Sequence, residues 1–181
     1  MAPQTPVIET ERLVLREMGP GDLDFLAGLL GDPEVMRFYP RPLDREGARG
    51  WIERNMIRYV RDGHAFWLAI DKATGRPVGQ AGVVERDLDG ERFSEIGYMF
   101  ARSAWGKGLA TEAARACVRW GFEKLGRTCM HALIRPENLP SRRVAERLGM
   151  RRGRRVVFAG FVHDLWWVEV GDDSTTSPRR P

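Results

Sequence analysis

Cysteine, histidine and lysine are all scarce in this 181-residue chain. Cys117 and Cys129 are too few for the disulfide framework of a small secreted domain. His64, His131 and His163 have no cysteine or histidine neighbours at ligand spacing, which points away from a metal site. No apolar run approaches the ~18 residues of a membrane span. The segment Met1-Ala2-Pro3-Gln4-Thr5-Pro6 has neither the positive n-region nor the apolar h-region of a secretory signal. A cytoplasmic protein without a membrane partner is therefore expected. Internal repeats and linkers are also missing, so one domain over 8–171 is expected, with the polar segment 172–181 as a disordered tail.

Lys72, Lys107 and Lys124 are the only lysines among 29 basic residues, so arginine carries almost the whole basic charge; 25 acidic residues leave a net charge of +4. That surplus admits a nucleic acid, an acidic surface or a phosphorylated ligand. It is concentrated in Arg142, Arg143, Arg147, Arg151, Arg152, Arg154 and Arg155. Helical spacing puts Arg143 and Arg147 on one face and leaves Val144 and Leu148 for the core, the ordinary pattern of a solvated helix.

Hydrophobic periodicity orders the chain as β-α-α-β-β-β-α-β-α-β-β. The run 7–16 alternates from Arg12 onward and reads as one strand, and Asp22 is placed to cap a short helix that stops at Gly31-Asp32-Pro33. Asp44 caps a second helix in which Ala48, Trp51, Ile52, Met56 and Tyr59 recur at helical spacing to about Arg61. Strands are expected at 65–70, 78–85 and 93–100, with turns between them. The apolar arc of 109–125 is too broad for a surface helix and must lie against the sheet. A strand follows at 128–134, then a helix at 139–148 with Asn138 as its cap, then strands at 154–158 and 161–170. The β-α-β unit formed by 93–100, 109–125 and 128–134 makes those two strands parallel within a mixed sheet.

Two segments carry chemistry. Trp105-Gly106-Lys107-Gly108-Leu109-Ala110-Thr111 runs from a strand into a helix, where unpaired N–H groups and the helix dipole favour an anion, phosphate above all. Ala101 stands where a P-loop needs its first glycine and Thr111 where a dinucleotide fingerprint needs its third, so neither motif is present. The second segment is Pro136-Glu137-Asn138-Leu139-Pro140-Ser141-Arg142-Arg143. Taken alone, Asn138 is a helix cap and Ser141 a first-turn hydroxyl.

Together with Glu95-Ile96-Gly97-Tyr98-Met99-Phe100, Thr10-Glu11-Arg12-Leu13-Val14-Leu15-Arg16, Asp32-Pro33-Glu34-Val35-Met36-Arg37-Phe38-Tyr39 and Pro77-Val78-Gly79, these segments resemble the GNAT superfamily of acetyl-CoA-dependent N-acetyltransferases. Within it they resemble the RimJ/RimL-like branch, which acetylates ribosomal-protein N-termini; the likeness spans roughly 8–170. It implies an α/β (α+β) fold: a mixed, mostly antiparallel sheet of about seven strands, with 93–100 and 128–134 splayed apart and helices on both faces. It implies acetyl-CoA as co-substrate and no metal. The pantetheine arm would pair with backbone at Met99, Phe100 and Ala101, and the pyrophosphate would meet Gly106, Lys107, Gly108, Leu109, Ala110 and Thr111. Asn138 would contact CoA, and Arg142 and Arg143 would approach its phosphates, which gives the basic surplus a local partner and makes nucleic acid unnecessary. Ser141 would protonate the leaving thiolate, and Glu95 is the candidate base. One departure from the superfamily is Ser103, where Gln or Arg is common.

The acceptor is an amine, and its pocket is expected between the helices of 22–61 and the turn at Ala159-Gly160, with Phe38, Tyr39 and Trp51 on its wall. At pH 7 roughly a sixth of an α-amine of pKa ~7.7 is neutral, against about one in 2,500 for a lysine of pKa ~10.4. With so few bases in the chain, this favours a peptide N-terminus over lysine. A small amine such as an antibiotic, polyamine or amino acid is the alternative, and a homodimer is compatible with the sequence. From other classes, a CoA-sensing protein without turnover and a nucleic-acid-binding module remain as contrasting readings.

Overall fold

The computed structural model describes residues 5–88 and 90–171; the expected tail at 172–181 lies outside the described residues. Eight strands and four α-helices follow one another: β1 (Pro6–Glu9), β2 (Leu13–Arg16), α1 (Leu23–Gly31), α2 (Arg45–Asp62), β3 (Phe66–Asp71), β4 (Arg76–Leu88), β5 (Glu91–Phe100), α3 (Leu109–Leu125), β6 (Cys129–Ile134), α4 (Leu139–Arg147), β7 (Arg151–Phe158) and β8 (Phe161–Glu169). They form one sheet in the order β1-β2-β3-β4-β5-β6-β8-β7. Every neighbouring pair is antiparallel except β5 and β6.

The eighth strand arises because 7–16 is a hairpin rather than one strand. Thr10 closes it: its backbone N–H donates to the Leu13 carbonyl at 2.9 Å, and its hydroxyl accepts from the Leu13 N–H at 2.9 Å. Asp22 differs from expectation in a similar way. It stands at the N-cap of α1, but its carboxylate takes the Gly19 N–H and the Arg16 guanidinium instead of capping. Asp44 does cap α2, accepting from the Gly47 N–H at 2.8 Å.

Successive residues of β3 enter opposite layers, as the two-residue period of a strand requires. Phe66 and Leu68 pack with Leu26, Leu30 and Ile52 of α1 and α2. Trp67 and Ala69 pack with Ala113 and Cys117 of α3, Val144 of α4 and Leu148 just past its end. The sheet is thus covered on both faces, and each such fully buried large side chain contributes ~1.5–3 kcal/mol. The buried face of α2 departs from the apolar stripe, since Met56 is 39% exposed while Asn55 is fully buried. Asn55 earns its place through hydrogen bonds, donating to the Trp51 carbonyl at 2.8 Å and accepting from the Phe66 N–H at 3.1 Å.

The feature that positions the site is the parallel pair. Only Glu95 and His131 register across β5 and β6, so the strands part beyond Glu95 and leave a wedge toward Met99. The loop into α3 and the start of α4 border that wedge. Among the described residues, no helix is long and apolar enough to cross a membrane.

Candidate active site

The loop from β5 into α3 turns on Gly106 (φ 75°) and Gly108 (φ 77°), both in the left-handed region that glycine enters without steric cost. No side chain caps α3. The N–H groups of its first turn therefore face outward, and the dipole adds about half a positive charge there. The loop is anchored twice. The Trp105 indole donates to the Phe100 carbonyl at 2.8 Å, and the Arg12 guanidinium donates to the Lys107 carbonyl at 2.8 Å.

Beside this loop opens a cleft of about 460 Å³. Met99 and Phe100 of β5 line it, as do Gly106, Gly108, Leu109, Ala110 and Thr111 of the loop and helix. Asn138, Ser141, Arg143 and Arg147 contribute from α4 and its cap, and Phe38 and Tyr39 close the opposite side. Three of the residues expected at CoA are not on its wall. Ala101 has its N–H on the Val78 carbonyl and its own carbonyl accepting from Ala104, both at 2.9 Å. Lys107 is exposed with its carbonyl taken by Arg12, and Arg142 turns back to the Pro136 carbonyl at 3.2 Å. Arg147 stands where Arg142 was expected. It lies one helical turn beyond Arg143, on the face that helical spacing leaves to solvent.

A second, smaller cavity of about 150 Å³ adjoins the first. Phe38, Tyr39, Tyr98, Asn138 and Ser141 line both, so they form the wall between them. Trp51 and Glu95 belong to the smaller cavity, with Arg86, Arg135 and the tip of the β7–β8 hairpin. Trp51 also serves the core, stacked on Phe66 at 5.6 Å with its indole N–H on Gln80 at 2.9 Å.

Ser141 is fixed at both ends of its backbone. Asn138 accepts its N–H at 3.2 Å, and the Tyr98 hydroxyl donates to its carbonyl at 3.2 Å. Burial pushes the Tyr98 phenol above its ordinary range. Tyr39 keeps 42% of its surface open, but desolvation, followed by the nearby Glu95 charge, pushes its pKa up to about 12. Both phenols therefore keep their protons at neutral pH. Glu95 is only 8% exposed and is held by the Nε of Arg86, whose guanidinium lies 5.1 Å over the Phe158 ring.

Tyr98 was not singled out in the sequence, although a signal existed. Ile96, Tyr98 and Phe100 share one face of β5, and Tyr98 carries the only polar side-chain atom among them. Arg86 and Arg135 had no such signal, because their meeting depends on how β4 pairs with β5 and where the chain leaves β6. Cys117 is fully buried with its thiol pushed up by burial, and Cys129 lies outside both cavities. Among the described residues, no cluster of His, Cys, Asp and Glu could hold a metal ion.

Comparison with known proteins adds to this geometry. The family model described as acetyltransferase (GNAT) domain matches residues 12–151. The chain is 43% identical over 148 residues to the uncharacterized protein YkkB of Bacillus subtilis (strain 168), covering 81% of this chain and 86% of YkkB. It is 33% identical over 148 residues to the uncharacterized N-acetyltransferase p20 of Bacillus licheniformis, covering 79% and 81%. Among solved structures, an acetyltransferase from Agrobacterium tumefaciens str. C58 superposes with a TM-score of 0.79 at 25% identity, covering 93% of this chain and 97% of that one.

Proposed function

The chain belongs to the GNAT acetyltransferase family, and from that premise we propose that it moves an acetyl group from acetyl-CoA to an α-amine, with a peptide or protein N-terminus as acceptor, in the manner of the RimJ/RimL-like branch. The observation that carries this reading is the meeting of two cavities across Tyr39, Tyr98, Asn138 and Ser141, the larger one ending at an uncapped helix N-terminus.

The larger cleft suits CoA by the chemistry of its donors. Open N–H groups and two positive-φ glycines accept a pyrophosphate at close range, while Arg143 and Arg147 offer guanidinium groups for the 3′-phosphate. Beyond its one register contact with β6, the edge of β5 at Met99 and Phe100 offers backbone to an amide-bearing arm, with the Phe100 carbonyl also accepting the Trp105 indole N–H. Ala101 drops out of that role because its backbone groups are already bonded. Bound acetyl-CoA supplies the activated acetyl group as a thioester, together with a thiolate leaving group.

The residues between the cavities then manage protons. Ser141 donates to the departing sulfur directly or through water; a thiolate leaves readily, so a positioned hydroxyl suffices. Tyr98 holds Ser141 in place through its carbonyl. Glu95 takes the proton lost by the amine, through water, while Arg86 keeps its carboxylate still. A small free amine is the second reading, favoured by the 150 Å³ of the inner cavity.

The test is thiol release from acetyl-CoA against α-amino peptides, N-terminally blocked lysine peptides, polyamines and aminoglycosides. α-Amino peptides should react fastest; a preference for blocked lysine peptides would overturn the reading. Ser141→Ala should lower turnover about 100-fold with acetyl-CoA affinity kept, and unchanged turnover would remove Ser141 from the mechanism.

A further inference from the structure

The inner cavity carries an unequal set of charges. Glu95 is the one carboxylate on its described wall, and Arg86 already holds it. Arg135 is a second guanidinium on the same wall, with its side chain 21% exposed. Its bonding is incomplete. One Nη pairs with Glu137, a carboxylate half open to solvent and outside the cavity lining, and the other reaches the Phe38 carbonyl only at 3.5 Å. Its Nε is sealed from solvent without an acceptor. A partly buried guanidinium whose second Nη has only a long contact keeps hydrogen-bonding capacity toward the cavity, and an anion is the partner that uses it best.

The β7–β8 hairpin holds this arrangement from above. Its tip turns on Ala159 (φ 51°) and Gly160 (φ 81°), which bring Phe158 and Phe161 to the cavity. Phe158 stacks on Arg86, and Phe161 stacks on Arg135 at 4.4 Å. An arginine stacked on a ring keeps its plane fixed and its N–H edges available.

Resting on the acetyl-transfer reading above, we infer that the acceptor carries an anionic group close to its amine, a carboxylate or phosphate, and that Arg135 binds it and determines specificity. The cavity holds roughly five waters' worth of volume at ~30 Å³ each, enough for a short acidic side chain. The anion can belong to the first residue of a peptide, or it can be the carboxylate of a free amino acid.

The experiment measures kcat/KM for thiol release with matched acceptors. Peptides that differ only in their first residue, Asp against Asn and phosphoserine against serine, test the first source. Leucine against leucinamide tests the second. In the wild type the anionic member of at least one pair should win by about tenfold or more, mostly through KM. In Arg135→Gln that ratio should fall to near one, and Arg135→Lys should restore part of it. Because the readout is a ratio within one variant, a general loss of activity does not imitate the result. A wild-type ratio of one or less in every pair, or a ratio that survives in Arg135→Gln, overturns the inference while leaving acetyl transfer intact. Thiol release absent from every acceptor overturns both.

Discussion

Arg12 and Glu112 stand 100 positions apart and are joined by three contacts: the Arg12 backbone N–H on Oε1 at 2.8 Å, its Nε on Oε2 at 2.6 Å and its Nη2 on Oε2 at 2.6 Å. The same guanidinium reaches the Lys107 carbonyl. The turn between β1 and β2 therefore grips both the glycine loop and the first turn of α3. It also neutralises a carboxylate that would otherwise repel an anion at that helix end.

On the acetyl-transfer reading proposed above, Arg12 is a positioning residue for the glycine loop. Arg12→Gln should raise KM for acetyl-CoA severalfold with a smaller change in kcat, and Arg12→Lys should rescue only part, since lysine cannot make the forked contact. Steady-state kinetics with acetyl-CoA varied will check this. Equal falls in kcat and kcat/KM with KM unchanged would assign Arg12 to chemistry instead.

Acid should destabilise the fold through the same group. Burial works against the charge of Glu112, but hydrogen bonds from Thr10 and Arg12 outweigh it and hold its pKa below the usual value; at Asp22, the Arg16 and Gly19 bonds likewise outweigh burial. A carboxyl whose pKa is depressed by folding stabilises above its unfolded value, and that stability is lost as pH falls through the folded value. Melting temperature should therefore vary little with these groups from neutrality down to about pH 4.5, then drop as pH falls further. Thermal melts of Glu112→Gln should show a lower plateau and a shallower acid limb.

Two glycines separate binding from packing. Nothing lies within 4 Å of a Cβ added at Gly106, so Gly106→Ala carries only its left-handed backbone, about 1–2 kcal/mol. A Cβ at Gly97 would sit 2.5 Å from the Phe66 ring inside the core. Gly106→Ala should lower acetyl-CoA affinity with a modest loss of Tm. Gly97→Ala should cost more stability, about 1–3 kcal/mol of overpacking. Calorimetric melts and CoA titrations on both variants distinguish the two effects.

The arginines of α4 also divide. Arg143→Gln and Arg147→Gln should each narrow the preference for CoA over dephospho-CoA, whereas Arg142→Gln should leave it unchanged, because its guanidinium turns to Pro136. Titration of each variant with both ligands is sufficient. A loss confined to Arg142→Gln would show that α4 presents a different face to the cofactor.

Local pattern was enough for much of this molecule. The wide apolar arc of 109–125 required a helix lying against a sheet, and α3 has those bounds. Strand periodicity with a helical crossover announced the parallel pair. These features depend on backbone conformation and on residues a few positions apart, which a linear sequence records directly. Contacts made at long range were not recorded in that way. The hairpin within 7–16 depends on Thr10 bonding across the turn and on a grip from Glu112, and the buried face of α2 depends on an amide that the edge of β3 needs. Above all, the inner cavity gathers Arg86 of β4, Glu95 of β5, Arg135 just past β6 and the β7–β8 tip. The sequence by itself determined a GNAT-type frame; only the tertiary structure decided which charges line the inner cavity, because that choice depends on how separate strands and turns lie beside one another.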